Sequence, residues 1–111
     1  METSQYPKVI RAGKVAVLFS PDFGAGWYTW NTEKPECLFD PDIVALVEAG
    51  RNKEIEEFVG DKWDTESHHF YFGGAYNLEI EWLPQGTRFI VNEYDGSESI
   101  QTIQETDWIL A

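Results

Sequence analysis

Apolar residues alternate at two-residue spacing in some stretches of the chain and at helical spacing in others, and the changes of period predict its elements. Residues 7–20 read as extended structure broken at Ala12-Gly13-Lys14, after which Val15, Val17 and Phe19 alternate with Ala16 and Leu18. A strand apolar on both faces needs cover on both sides, which predicts a central position in a sheet. Ser20-Pro21-Asp22-Phe23-Gly24-Ala25-Gly26 then supplies turn chemistry, because Pro presets φ and the glycines allow a close backbone approach. Trp27-Tyr28-Thr29-Trp30 is rich in β-prone residues and predicts a short strand.

Helical periodicity begins at Asp40-Pro41-Asp42. Asp40 can cap, Pro41 loses nothing at the first helical position, and Asp42 suits the positive end of the dipole. Ile43, Val44, Leu46 and Val47 form the apolar stripe, and Gly50 closes the helix. A second short helix follows with Asn52 as its expected cap and Gly60 as its expected stop. Ile55, Phe58 and Val59 point inward and Glu54, Glu56 and Glu57 outward.

Residues 61–76 read as an irregular connection containing Trp63, Phe70, Tyr71, Phe72 and Tyr76, and the last third reads as an antiparallel meander. Leu78, Ile80 and Trp82 alternate with Asn77, Glu79 and Glu81, the period of a half-buried strand with an acidic outer face. Pro84-Gln85-Gly86 turns the chain into a strand from Thr87 to Tyr94. Asp95-Gly96 is a two-residue hairpin signal leading to a strand from Glu98 to Ile103, and Asp107 to Leu110 is expected to pack back as an apolar tail. The expected fold is α+β: one antiparallel sheet of four to five strands with two short helices packed on one side.

The 111 residues suit a single domain over 1–111, and 42% hydrophobic with 15% aromatic residues is too much apolar bulk for a disordered chain. Cys37 is the only cysteine, so no intrachain disulfide forms and a reducing, cytoplasmic setting is expected. No apolar run approaches the length of a membrane span, which argues against a membrane partner. The formal charge is −12, with four Lys/Arg against seven Asp/Glu in residues 1–50 and four against thirteen in 51–111. That excess opposes direct binding of nucleic acid or anionic lipid, which are recognised through Lys and Arg.

Local chemistry is sparse. Gly24-Ala25-Gly26 lacks the third Gly, the Lys-Ser/Thr pair and the following helix of a phosphate-cradling loop, so a structural turn is preferred. His68-His69, with Asp64, Glu66 and Cys37, contains metal-ligand types, but adjacent histidines on an extended segment point apart. No carboxylate pair is marked as an acid/base couple, and Cys37 reads as an apolar filler or an inert surface thiol. The expectation is therefore no catalytic residue, no metal and no cofactor.

The stretches Val17 to Asn31 and Leu38 to Val44, with Leu78 to Trp82 and Glu93 to Ile100, resemble a family of small uncharacterised acidic proteins encoded by tailed bacteriophages. The resemblance spans most of the chain and carries no catalytic motif. It implies an accessory or inhibitory protein working in the host cytoplasm, such as a factor of host takeover or anti-defence.

Two functional expectations follow. In the first, an acidic face engages a basic surface of a host protein, in one form as a DNA mimic occupying a nucleic-acid-binding site. Its candidate residues are Glu54, Glu56, Glu57, Asp61 and Asp64 on the helical side and Glu79, Glu81, Glu93 and Glu98 on the sheet. In the alternative, Phe23, Trp27, Tyr28, Trp30, Phe70, Tyr71 and Tyr76 in the aromatic and glycine-rich loops bind a small molecule or nucleotide. The competing reading of the charge is solubility, and of the rings, core packing.

Overall fold

The computed structural model describes residues 7–22, 26–63 and 74–103. Within them the chain forms two α-helices and two antiparallel sheets, one of three strands and one of two. The α+β class is as expected, while the single sheet of four to five strands is not. Five strands are present, divided three and two.

β1 (Ile10–Arg11) and β2 (Lys14–Phe19) pair through a two-residue turn in which Ala12 and Gly13 both take positive φ, 51° and 78°. β3 (Glu79–Pro84) pairs with the other edge of β2, in the register Val15↔Leu83 and Val17↔Glu81. β2 is thus the central strand, and its apolar alternation is explained by cover on both sides. Ala16 and Leu18 join the larger core cluster with Ile43, Val44, Ile55 and Val59, whereas Val15 and Val17 join a second cluster with Leu38, Phe39 and Leu83.

The helices supply the first cover. α1 (Pro41–Glu48) starts where Asp40 accepts the N–H groups of Asp42 and Ile43. It ends in a Schellman motif: Arg51 N–H bonds Leu46 O, Gly50 N–H bonds Val47 O, and Gly50 has φ +72°. Both ends are where the sequence places them. α2 (Asn52–Lys62) departs twice from expectation. Arg51, not Asn52, stands at the N-cap position, and Asn52 is the first helical residue, donating through Nδ2 to Leu78 O at 3.2 Å. The helix also runs through Gly60 to Lys62, since glycine lowers helix propensity without forbidding it and the last turn is anchored from outside, as described below.

The second cover is the hairpin of β4 (Arg88–Tyr94) and β5 (Ser97–Ile103), whose Phe89, Val91 and Ile100 pack against Val15, Val17 and Phe39. Asp95 and Gly96 form its turn with φ of 53° and 87°, the positive values that a type I′ turn requires. Pro84 to Thr87 does not continue a meander. Thr87 N–H closes a turn on Pro84 O while Gln85 N–H bonds Gly13 O, so β4 leaves the first sheet.

Trp27 to Trp30 is not a strand: Tyr28–Trp30 is a turn of 3-10 helix, as are Pro35–Leu38 and Ala75–Asn77. Trp27, just ahead of the first of these turns, is fully buried with its indole N–H donated to Cys37 O at 2.9 Å.

Candidate functional site

The helical carboxylates form the more coherent of the acidic groups. Glu54, Glu56, Glu57 and Asp61 are all exposed on α2, while Ile55 and Val59 are fully buried. Glu54, Glu57 and Asp61 follow i, i+3, i+7 spacing and run as a stripe on the side away from those two residues. Arg51 bonds Glu54 through Nε at 2.6 Å and also through Nη2. That bidentate hydrogen bond, with the attraction of the two charges, lowers the Glu54 carboxyl and raises the Arg51 guanidinium. No basic group among the described residues forms an ion pair with Glu56, Glu57 or Asp61. Asp64 lies outside the described residues.

The strand carboxylates do not extend this face. Glu79 and Glu81 are exposed and sit opposite Phe19 and Val17, so they share the sheet face of Val17. α2 packs on the other face, through Ile55 and Val59. The two groups are separated by the three-stranded sheet. Glu93, exposed on β4, accepts Gly96 N–H at 2.6 Å across its own hairpin turn.

Glu98 corrects the set outright, because it is 2% exposed and faces inward. Its Oε1 accepts Ser20 N–H at 2.9 Å, and its Oε2 accepts the N–H groups of Trp27 and Thr29 and the Thr29 hydroxyl at 2.7–2.9 Å. These donors replace the water that a buried carboxylate gives up. A signal was present in the sequence: counted back from Ile100 at strand period, position 98 falls on the inner face.

Asp40 is a second buried carboxylate, and it does more than cap. Oδ1 serves the α1 N-terminus, while Oδ2 accepts Lys62 Nζ at 2.8 Å and Trp63 Nε1 at 3.1 Å. One side chain therefore starts α1 and anchors the end of α2. The Lys62 ammonium also lies 5.6 Å from the ring centres of Phe58 and Trp63.

The aromatic set is divided. Trp27 is interior, Tyr28 is half-buried between the two core clusters, and Trp30 is 37% exposed. Tyr76 belongs to the 3-10 turn Ala75–Asn77, and Phe23, Phe70 and Tyr71 lie outside the described residues, as do His68, His69 and Glu66. Cys37 is fully buried in the larger cluster, an apolar filler whose thiol is raised well above its ordinary value, chiefly by burial. Among the described residues no three His, Cys, Asp or Glu side chains are grouped to hold a metal ion, and no helix is long and apolar enough to cross a membrane. In comparison with known proteins, no protein family, no curated protein and no solved structure matches the chain.

Proposed function

We propose that the protein is a small acidic binding module that engages a basic surface of another protein through the outer face of α2. The observation that carries the reading is the Glu54, Glu57, Asp61 stripe. Like charges at helical neighbour spacing cost a helix about 0.2–0.5 kcal/mol per pair, and no such alignment is needed to keep a chain of charge −12 soluble. A partner contributing Lys or Arg would turn that repulsion into attraction and speed encounter.

The charge density favours a basic patch over a full nucleic-acid channel. α2 is eleven residues long and carries four Asp/Glu against two Lys. At about 16 Å of helix, a DNA duplex would present about nine phosphates. The DNA-mimic form of the proposal would need carboxylates from beyond α2. The resemblance to bacteriophage proteins adds a host protein as the partner and inhibition or anti-defence in the host cytoplasm as the outcome. No catalytic step and no cofactor enter the proposal.

Capture from bacterial lysate at low and physiological salt tests it, using the wild-type chain, Glu57→Lys/Asp61→Lys and Glu79→Lys/Glu81→Lys. The expected result is a basic protein retained at low salt, weakened by salt, lost with the α2 variant and kept with the strand variant. Equal retention by the α2 variant, or no basic partner at either salt, would overturn the proposal.

A further inference from the structure

Between the two sheets lies a cleft of about 160 Å³ whose walls include Val15 and Val17 of β2, Leu83 of β3 and Phe89 of β4. Protein interiors seldom leave voids larger than a water molecule, and an apolar cavity of about 150 Å³ is enough to hold benzene. The cleft is open at the turn where Pro84 gives way to Gly86, and a Cβ added at Gly86 would have no atom within 4 Å. The cleft is a groove with polar as well as apolar lining, Lys8 and Thr87 standing beside the valines, Leu83 and Phe89, and it has room for a body of benzene size.

One cation stands at this cleft. Lys8 lines it, with Nζ 4.7 Å from the centre of the Phe39 ring, and Phe39 in turn meets Phe89 edge-on at 6.4 Å. Arg11, Arg51 and Lys62 all have carboxylate partners, whereas no carboxylate of the described residues forms an ion pair with Lys8. Lys8 is half-buried and rests on a ring instead of a carboxylate. Held there by the cation–π contact, it meets a ligand's anion with no carboxylate of the described residues paired to it.

We infer that the cleft between the sheets binds a small monocarboxylate, with its ring or short alkyl chain between Val15, Val17, Leu83 and Phe89 and its carboxylate on Lys8. The site lies across the three-stranded sheet from α2 and is independent of the acidic-stripe proposal.

Titration of the full chain with benzoate, benzyl alcohol and benzylamine, followed by methyl and ring NMR shifts at constant ionic strength, tests the assignment. Benzoate is expected to shift Val15, Val17, Leu83 and Phe89 with a Kd of about 1 mM or tighter. Benzyl alcohol should bind at least about tenfold more weakly, because it lacks the charge-assisted bond. Lys8→Gln, a change on a half-buried side chain near the described start of the chain, should bring benzoate down to the level of benzyl alcohol and leave benzyl alcohol unchanged. Absence of shifts in these residues at 10-fold the expected Kd overturns the inference. So does benzoate binding that Lys8→Gln leaves intact, or benzylamine binding as well as benzoate.

Discussion

Glu98 Oε2 receives both the backbone N–H and the hydroxyl of Thr29, at 2.9 and 2.7 Å, across 69 positions of sequence. The same carboxylate takes Ser20 N–H, while Glu98 N–H is donated to Ser20 O at 2.7 Å and Ser97 Oγ bonds Pro21 O. The first residues of β5 thus fasten the segment after β2 to the second sheet. A strand pair that shares no ladder with the other sheet is held to it by this polar joint as well as by Phe89, Val91 and Ile100.

Replacing that carboxylate should therefore unfold the chain at lower denaturant. Glu98→Gln keeps the shape but turns an amide NH2 toward backbone N–H groups that can only donate, at an expected cost of about 2 kcal/mol, and Glu98→Ala removes the acceptor of two buried and one part-buried N–H groups at about 3 kcal/mol or more. Urea midpoints measure both. A loss below about 0.5 kcal/mol in Glu98→Ala, the range of ordinary surface changes, would show that the joint contributes nothing.

Gly26 is required by the same joint. A Cβ built there would stand 2.8 Å from Thr29 Oγ1 and 2.8 Å from Trp30 Cδ1. Trp30 is partly exposed, and the Thr29 hydroxyl is fixed by Glu98. Gly26→Ala is expected to cost about 1–3 kcal/mol, the usual range for overpacking. In the Thr29→Ala background the cost should shrink, so a double-mutant cycle will be non-additive by about 1 kcal/mol. Strict additivity would place the clash elsewhere.

Features fixed by neighbouring residues are legible in the sequence, and features fixed at a distance are not. The β4–β5 hairpin was readable because Asp95-Gly96 accepts the positive φ that its turn demands, and α1 because Asp40 and Gly50 act within one turn of its ends. That β3 pairs with β2 and not with β4 depends on a ladder joining residues 14–19 to 79–84, which no local pattern encodes. The acidic side chains of Glu79 and Glu81 were readable as exposed by alternation. The charge of Glu98 points outward while its phase with Ile100 points inward, and phase prevails because its donors, about seventy positions away, satisfy the carboxylate.

The extension of α2 past Gly60 should depend on Asp40. Asp40→Asn preserves an oxygen that can cap α1, since Asn and Asp cap about equally well. It replaces the acceptor of Lys62 and Trp63 with an amide that cannot serve as a charge partner. Amide hydrogen exchange is expected to quicken at Lys62 and Trp63, by about tenfold for a local loss near 1.4 kcal/mol, while Val44 in α1 stays protected. Equal loosening of both helices would mean that the two oxygens of Asp40 do not act separately.

Stability at alkaline pH should carry the mark of Cys37. Burial raises its thiol well above the ordinary value of 9.0, and the negative charges of Glu98, Glu36 and Asp40 add to the effect. Below pH 9 the thiol is protonated in the folded and the unfolded chain alike, and its full contribution is present. As pH rises beyond that, the unfolded chain releases the proton while the folded chain retains it, so unfolding is favoured with a slope of up to about 1.4 kcal/mol per pH unit until the folded value is reached. Urea midpoints between pH 8 and 10 should therefore fall more steeply for the wild type than for Cys37→Ala, which removes this group. The same burial predicts that a thiol reagent labels Cys37 only as fast as the chain opens. Identical alkaline slopes in the two proteins, together with rapid labelling of the native chain, would mean that the thiol meets solvent and is not the filler that the core around Trp27 requires.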